Sequence, residues 1–291
     1  MKILILSASV GSGHMRAAQA VEAALRESYP GATVRTVDVL EMAGVVFRKV
    51  YGDGYLGMAN SAPHLLGYLY DALDRPGGLT LVPDAARGLV QRFCLRAFAR
   101  FMRQESWDVV INTHFLPAEL IAYLRRRGRL DVPQIIAVTD FEVHRFWAHS
   151  PCEHYFTASQ EGAAALRHWG VAGEDISVTG IPIHPIFSTE LDRAACLRSQ
   201  GLAGDRPILL QLAGGNGMGP IEEVFDGLSA LPMPVDLVVV AGRNEGARAR
   251  LLARPTPSRH RTHILGYTGM MHELMAVAAL IVSKPGRLTV S

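Results

Sequence analysis

Ile3-Leu4-Ile5-Leu6-Ser7-Ala8-Ser9-Val10-Gly11-Ser12-Gly13-His14 opens the chain, and Ile208-Leu209-Leu210-Gln211-Leu212-Ala213-Gly214-Gly215-Asn216-Gly217-Met218-Gly219 repeats its plan in the second half. Each run starts as a continuous apolar strand, the pattern of a strand buried on both faces of a parallel sheet. Each then enters a glycine-rich turn and passes into a helix. Strand, glycine turn and helix form the opening unit of a nucleotide-type α/β fold, so its recurrence predicts two such domains with a cleft between them. The two turns differ in what they present. The first delivers His14 to the start of its helix, whereas the second offers bare backbone amides.

Outward from these turns, apolar strands alternate with helical stretches nearly throughout, as a parallel sheet wrapped by helices requires. In the first half the strands are predicted at 2–7, 33–39, 108–112, 134–138, 154–157 and 176–179, and the first helix at 14–28, ending before Pro30. The passage Gly180-Ile181-Pro182-Ile183-His184-Pro185 breaks the pattern. The expected organisation is therefore a Rossmann-like domain over 1–183, a connection over 184–206 with one short helix, and a second Rossmann-like domain over 207–291. Strands are predicted in the latter at 208–213, 236–241, 263–265 and 280–283. A doubly wound domain adds two more strands beyond the fourth, so the second domain reads as partial and the chain as truncated at Ser291.

The chain has 291 residues, 49% hydrophobic and 19% charged, with a net charge of +2, a balance that does not point to nucleic acid. No apolar run is long enough to span a bilayer, and the apolar start is too short and too soon interrupted by glycine for a signal peptide. The three cysteines, Cys94, Cys152 and Cys196, have neither metal nor redox spacing, which suits a reducing, cytoplasmic location. Only three of the 29 basic residues are lysine. Arg87, Arg92, Arg96, Arg100 and Arg103 recur at helical spacing beside Leu89, Phe93, Leu95, Phe98 and Met102, and Arg125, Arg126, Arg127 and Arg129 follow. The basic helix face reads either as the solvated side of a packed helix or as a surface for anionic lipid.

A segment rich in tyrosine, glycine and methionine runs from Tyr51 and Tyr55 through Met58 to Leu65, Tyr68 and Tyr70. It reads either as a helix pair on the sheet or as an apolar surface with polar tips for a greasy ligand or membrane interface. Polar residues stand just past two apolar strands, in Asn112-Thr113-His114 and Val138-Thr139-Asp140. Ligands bind outside the carboxyl ends of strands in open parallel sheets, so His14, His114 and Asp140 are expected to converge, with His144 and Trp147 nearby. A histidine at a cleft can act as general base or can be structural. The turn at Gly214 to Gly219, followed by Pro220 as a first-turn residue, has the form of an anion site at a helix N-terminus. A dinucleotide fingerprint is the competing reading of the first turn, with Gly11, Gly13 and Asp38 in place but Arg16 where the third glycine belongs. No zinc-helix, Walker or Gly-x-Ser-x-Gly motif is present, and metal catalysis has little support.

Together, Ser7 to Ala17, Gly214-Gly-Asn-Gly-Met-Gly-Pro-Ile-Glu222, Ala241-Gly-Arg-Asn244, Gly266-Tyr-Thr-Gly-Met-Met-His-Glu-Leu-Met275 and Ser283-Lys-Pro-Gly286 resemble the monogalactosyldiacylglycerol synthases and processive diacylglycerol glucosyltransferases. The segment from Thr139 to His149 is similar to the same family. A more distant likeness is to the N-acetylglucosaminyltransferase that completes the lipid precursor of peptidoglycan. The resemblance implies a GT-B fold, α/β with two facing Rossmann-like domains, and a metal-independent, inverting transfer of a hexose from a UDP-sugar to diacylglycerol or a related lipid. It implies no cofactor beyond the donor substrate, UDP-galactose or UDP-glucose, and peripheral attachment to an anionic membrane surface at the inner face of the cell membrane. His14 becomes the leading candidate base and Asp140 the second, with Gly13, His114, His144, Trp147, Tyr51 and Tyr55 on the acceptor side. On the donor side it implies Gly214, Gly215, Asn216, Gly217, Met218, Gly219, Arg243 and Met270, with Tyr267 and Thr268 beside uracil and Lys284, Pro285 and Gly286 beside diphosphate or sugar.

The chain departs from the family at Arg287, where a glycine is usual, and at Ser291, beyond which the family pattern continues with a glutamate expected to hold the ribose. Loss of a contact to a substrate hydroxyl costs orders of magnitude in discrimination. A non-catalytic lipid-binding remnant and a nucleotide-sugar epimerase of similar architecture are the alternative readings.

Overall fold

In a computed structural model the chain is described over residues 1–9, 13–42, 96–217, 219–284, 286 and 289–291. Tyr51, Tyr55 and the rest of that aromatic segment, together with Arg87, Arg92, Met218, Pro285 and Arg287, lie outside the described residues. The chain divides into two compact units, Met1–Pro185 with Ser291, and Ile186–Val290.

The first unit is built on a six-stranded sheet of order β2-β1-β3-β4-β5-β6, every described pairing parallel. Its strands are β1 (Lys2–Ser7), β2 (Thr33–Asp38), β3 (Val109–Asn112), β4 (Gln134–Ala137), β5 (His154–Thr157) and β6 (Ile176–Val178). Strand β1 is apolar on both sides because both of its faces are covered. Ile3 and Ile5 pack with Ala18 of helix α1 (Gly13–Ser28) and with Val34. Leu4 and Leu6 point the other way, into a core with Phe98, Met102, Trp107, Ile121 and Leu124. Each of those four strand residues is at most 1% exposed, so truncating any of them to alanine would cost about 2–5 kcal/mol. After the short helix α2 (Val39–Met42), residues 96–102 are helical, with Phe98 and Met102 inward and Arg96 and Arg100 exposed. That part of the basic helix is thus anchored by an apolar side and presents arginine to solvent.

Helices α3 (Phe115–Arg126) and α4 (Gln160–His168) are started by side-chain caps, His114 accepting from Leu116 N and Ser159 from Gly162 N. These bonds satisfy amides that a helix start leaves without carbonyl partners. In the arginine run that ends α3, Arg125 forks onto Glu153 at 2.8 and 2.6 Å, while Arg126, Arg127 and Arg129 are exposed.

The second unit carries a four-stranded parallel sheet of order β10-β7-β8-β9, formed by β7 (Ile208–Leu212), β8 (Asp236–Val240), β9 (Arg261–Leu265) and β10 (Leu280–Ser283). The β7 side chains again divide between two layers. Leu209 faces Phe225 of α6 (Ile221–Ser229) and Leu251 of α7 (Glu245–Leu252). Ile208, Leu210 and Leu212 face Cys196 of α5 (Arg193–Ser199) and Leu274 of α8 (Met271–Val277). Helix α5, from the stretch read as a connection, is fixed to α8 by Arg193, which donates to the carbonyls of Ala276 and Val277, and by a bond from Gln200 to Glu273.

Both sheets have a point where the chain leaves one strand in opposite directions. In the first unit β1 lies between β2 and β3, and in the second β7 lies between β8 and β10. Loops that follow the strands at such a point diverge and leave a crevice at their carboxyl ends.

Candidate functional site

In the first unit the crevice falls between the loops after β1 and β3, and His14 and His114 occupy its two sides. Their rings meet edge to face with centroids 4.6 Å apart. The register of the parallel strands, Leu6 opposite Asn112, places the two loops side by side. Thr113 then ties them, its hydroxyl donating to the His14 carbonyl at 3.1 Å and its amide to the Leu6 carbonyl at 2.9 Å. From the next strand Thr139 completes a knot: its hydroxyl lies 3.2 Å from the Thr113 carbonyl and 2.6 Å from His14 Nδ1. All four residues are buried.

Asp140, one residue on, turns its carboxylate to the following loop. Its Oδ2 accepts from Trp147 Nε1 at 2.9 Å and lies 3.3 Å from His144 Nε2. Trp147 is fully buried within the apolar cluster of Val138, Val143 and Tyr155, so the indole has no water to bond and the carboxylate serves as its acceptor. Phe115 joins the group through ring contacts to His114 at 4.2 Å, His144 at 5.2 Å and Trp147 at 5.7 Å. His14, His114, Asp140, His144 and Trp147 are therefore brought into one cluster. Thr113, Thr139 and Phe115 belong to it too. The two threonines stand in the polar positions just past β3 and β4, a signal available in the sequence, whereas nothing local marks Phe115.

Gly13 begins α1, and a side chain there would meet nothing within 4 Å, so packing does not demand glycine at this position. Asp38 is occupied structurally. Its Oδ1 accepts from Ser9 N at 3.2 Å and Leu40 N at 3.0 Å, which holds the loop after β1 and the start of α2 instead of presenting a carboxylate to a ribose.

In the second unit the turn after β7 interlocks with the turn after β8 through glycines in the left-handed region. Gly217 has φ +61, and a Cβ there would strike the Ala241 carbonyl and come within 2.5 Å of Asn244 Cβ. Gly242 has φ +64, and a Cβ there would strike the Gly214 carbonyl and approach that of Gly215 to 2.8 Å. Arg243 N donates to Gly215 O at 3.1 Å and Asn244 Nδ2 to Gly217 O at 2.8 Å, while Asn244 Oδ1 caps α7 at Ala247 N. Gln211, buried in β7, reaches Ile221 O at 2.7 Å and fixes the start of α6. Pro220 is the N-cap of that helix, one position before the first-turn place expected for it.

Around this frame Arg243 lays its guanidinium over the Tyr267 ring at 4.6 Å, and Lys284 at the end of β10 brings Cε to 3.0 Å from where a Cβ on Gly214 would be. Thr268 Oγ1 accepts from Met270 N at 3.0 Å, shaping the entry to α8; Tyr267 and Met270 are exposed. Gly217 N bonds to Gly214 O within this turn, Arg243 reaches it through Gly215 O and stacks on Tyr267, and Lys284 lies beside Gly214. Gly215 enters through its carbonyl, Asn216 is an exposed member of the turn, and Gly219 has φ +113 with open space about it. Gly286 bonds locally to Lys284 O. Gly242 and Asn244 are the members not assigned to the site from sequence, although both lie within the string Ala241 to Asn244.

The model of the monogalactosyldiacylglycerol (MGDG) synthase family matches residues 14–183, more than half of the chain and the whole of the described histidine cluster. The chain belongs to the MGDG synthase family. Among the relatives of this MGDG synthase-family protein is the processive diacylglycerol beta-glucosyltransferase of Bacillus cereus strain AH187, 26% identical over 294 residues that cover 100% of this chain and 73% of the relative. Among solved structures, Anabaena HepE in complex with UDP-glucose superposes with a TM-score of 0.53 at 15% identity, covering 97% of this chain and 73% of that one. Acinetobacter baumannii MurG superposes with a TM-score of 0.54 at 15% identity, covering 99% and 74%. The fold of the family member described here is accordingly GT-B, an α/β class built from parallel sheets with helices on both faces.

Among the described residues no group of three or more His, Cys, Asp or Glu side chains is arranged to hold a metal ion. No helix among them is long and apolar enough to cross a membrane.

Proposed function

We propose that the protein is an inverting glycosyltransferase that moves a hexose from UDP-galactose or UDP-glucose to diacylglycerol or a related lipid at a membrane surface, without a metal or other cofactor. The observation that carries the reading is the buried histidine cluster at the carboxyl ends of β1, β3 and β4, inside the stretch that matches the family model. A hydroxyl acceptor needs a base when it attacks, and an imidazole held by hydrogen bonds at a strand-end crevice is suited to that task. In this reading His14 takes the proton as the lipid oxygen bonds to the anomeric carbon. The bond from that carbon to the diphosphate breaks, and UDP departs with the electron pair. His114, Phe115, His144 and Trp147 form the aromatic surround of the acceptor hydroxyl, and Asp140 holds His144 and Trp147 in place.

The second unit supplies the donor half. Arg243 and Lys284 bring cations to the ends of β8 and β10, and the start of α6 adds the positive end of a helix dipole. Charge of that kind, fixed before reaction, stabilises a departing diphosphate in the role a metal fills elsewhere. Tyr267, exposed and backed by Arg243, offers a face on which a base can stack. Peripheral attachment is supported by the exposed Arg96, Arg100, Arg127 and Arg129, which can meet anionic lipid at about 1 kcal/mol each near the surface.

The test is transfer of radiolabelled sugar from each UDP-sugar to diacylglycerol in anionic mixed micelles, with and without His14→Ala. Transfer that collapses in the variant supports the reading. A folded protein that binds vesicles but never transfers sugar overturns it in favour of a lipid-binding role.

A further inference from the structure

We infer that Thr139 is a positioning residue that fixes the tautomer of His14, so that Nδ1 carries the ring proton and Nε2 the basic lone pair; this rests on the reading of His14 as the base. A hydroxyl has one proton to give and two lone pairs to offer. Thr139 Oγ1 stands 3.2 Å from the Thr113 carbonyl oxygen, which can only accept, and 2.6 Å from His14 Nδ1, which can do either. Only one assignment satisfies both contacts: the threonine proton goes to Thr113 O, and Nδ1–H donates to Oγ1. The reverse assignment spends the proton on Nδ1 and sets two oxygen lone pairs facing each other at 3.2 Å. At 0% and 3% exposure, Thr113 and Thr139 have no water to relieve that arrangement.

The neighbouring imidazole has the opposite assignment. His114 Nδ1 accepts from Leu116 N at 3.0 Å, so a neutral His114 carries its proton on Nε2. Two histidines whose rings touch at 4.6 Å are thereby placed in different tautomers, His14 by Thr139 just past β4 and His114 by the Leu116 amide in the first turn of α3. Thr113 gives the arrangement its rigidity by holding the His14 carbonyl at 3.1 Å, so the ring and the backbone of His14 are both referenced to β3 and β4. A histidine ring in free solution carries its proton mainly on Nε2, so Nδ1–H has to be imposed, and a base in the wrong tautomer presents N–H where a lone pair is required.

The experiment uses the whole protein labelled with 15N-histidine. Long-range proton–nitrogen correlation spectra, recorded above the imidazole titration, report which nitrogen of each ring is protonated, and the His14 signals are assigned by their loss in His14→Asn. The expected result is Nδ1–H for His14 in the wild type, a shift toward Nε2–H in Thr139→Val, and the wild-type pattern in Thr139→Ser. Lipid glycosylation should fall in step, with kcat down on the order of 10²-fold in Thr139→Val, KM for the UDP-sugar unchanged, and most of the rate restored in Thr139→Ser. Wild-type His14 protonated on Nε2 overturns the inference, whether or not Thr139→Val folds. So does a Thr139→Val spectrum identical to the wild type. Spectra as expected, with no sugar transfer by any variant, leave the tautomer assignment standing and remove the glycosyltransferase reading instead.

Discussion

His14 and His114 face each other edge to plane at 4.6 Å although a hundred positions separate them, because their loops leave adjacent parallel strands at the point where the chain reverses its direction of travel across the sheet. Replacing His14 with asparagine should lower kcat for lipid glycosylation by about 10²–10⁴-fold, the range lost with a general base. The loss of its bond to Thr139 should cost only about 1 kcal/mol of stability. Steady-state transfer assays beside urea denaturation check both numbers.

The interlocked turns of the second unit should be intolerant of a single methyl group. Gly242→Ala and Gly217→Ala place a Cβ against a backbone carbonyl at positive φ, so each should destabilise by about 2–4 kcal/mol. Gly13→Ala is the contrast, the first residue of α1 with open space about it, where a change within about 0.5 kcal/mol is expected. Urea denaturation midpoints compare the three. A Gly242→Ala protein as stable as wild type would show that the turn relaxes in a way the geometry does not suggest.

Tyr267 can be separated from its hydroxyl. Tyr267→Ala removes the face beneath Arg243 and should raise KM for the UDP-sugar about tenfold, while Tyr267→Phe keeps the ring and should stay within about twofold. An unchanged KM in Tyr267→Ala would remove the ring from the donor site.

His149 adds an acid sensitivity to the first unit. Burial lowers its pKa from the ordinary imidazole value of 6.5 to about 4, so the folded state favours the neutral ring and the unfolded chain binds the extra proton. The contribution is therefore complete above pH 6.5 and is lost as pH falls through about 4; its size is about 1–3 kcal/mol. Denaturation midpoints of wild type and His149→Asn measured between pH 4 and pH 8 should diverge as pH rises and converge toward pH 4.

Cys152 and Cys196 should resist alkylation in the native state. Burial pushes the Cys152 thiol up to about 12, where almost no thiolate exists at neutral pH, and Cys196 is 5% exposed in the second core. Iodoacetamide labelling mapped by mass spectrometry should modify both only in denaturant.

The strands were legible because continuous apolar runs such as Ile3 to Leu6 and Leu237 to Val240 have no stable home except a sheet covered on both faces, and the turns that end them are punctuated by glycine. His14, His114 and Asp140 could be grouped from sequence for the same reason, since each follows the end of such a strand. Tertiary structure alone decided what each does there. It set Asp38 to hold backbone amides, Asp140 to accept from Trp147, and Thr139 to bridge a carbonyl and an imidazole. It also decided which glycines are obligatory, requiring them at Gly217 and Gly242 and leaving Gly13 open. Strand and helix periodicity is a property of neighbours along the chain, so sequence determines it. Hydrogen-bond partners and the space for a Cβ depend on groups a hundred residues away, and those are fixed only when the strands pair in register.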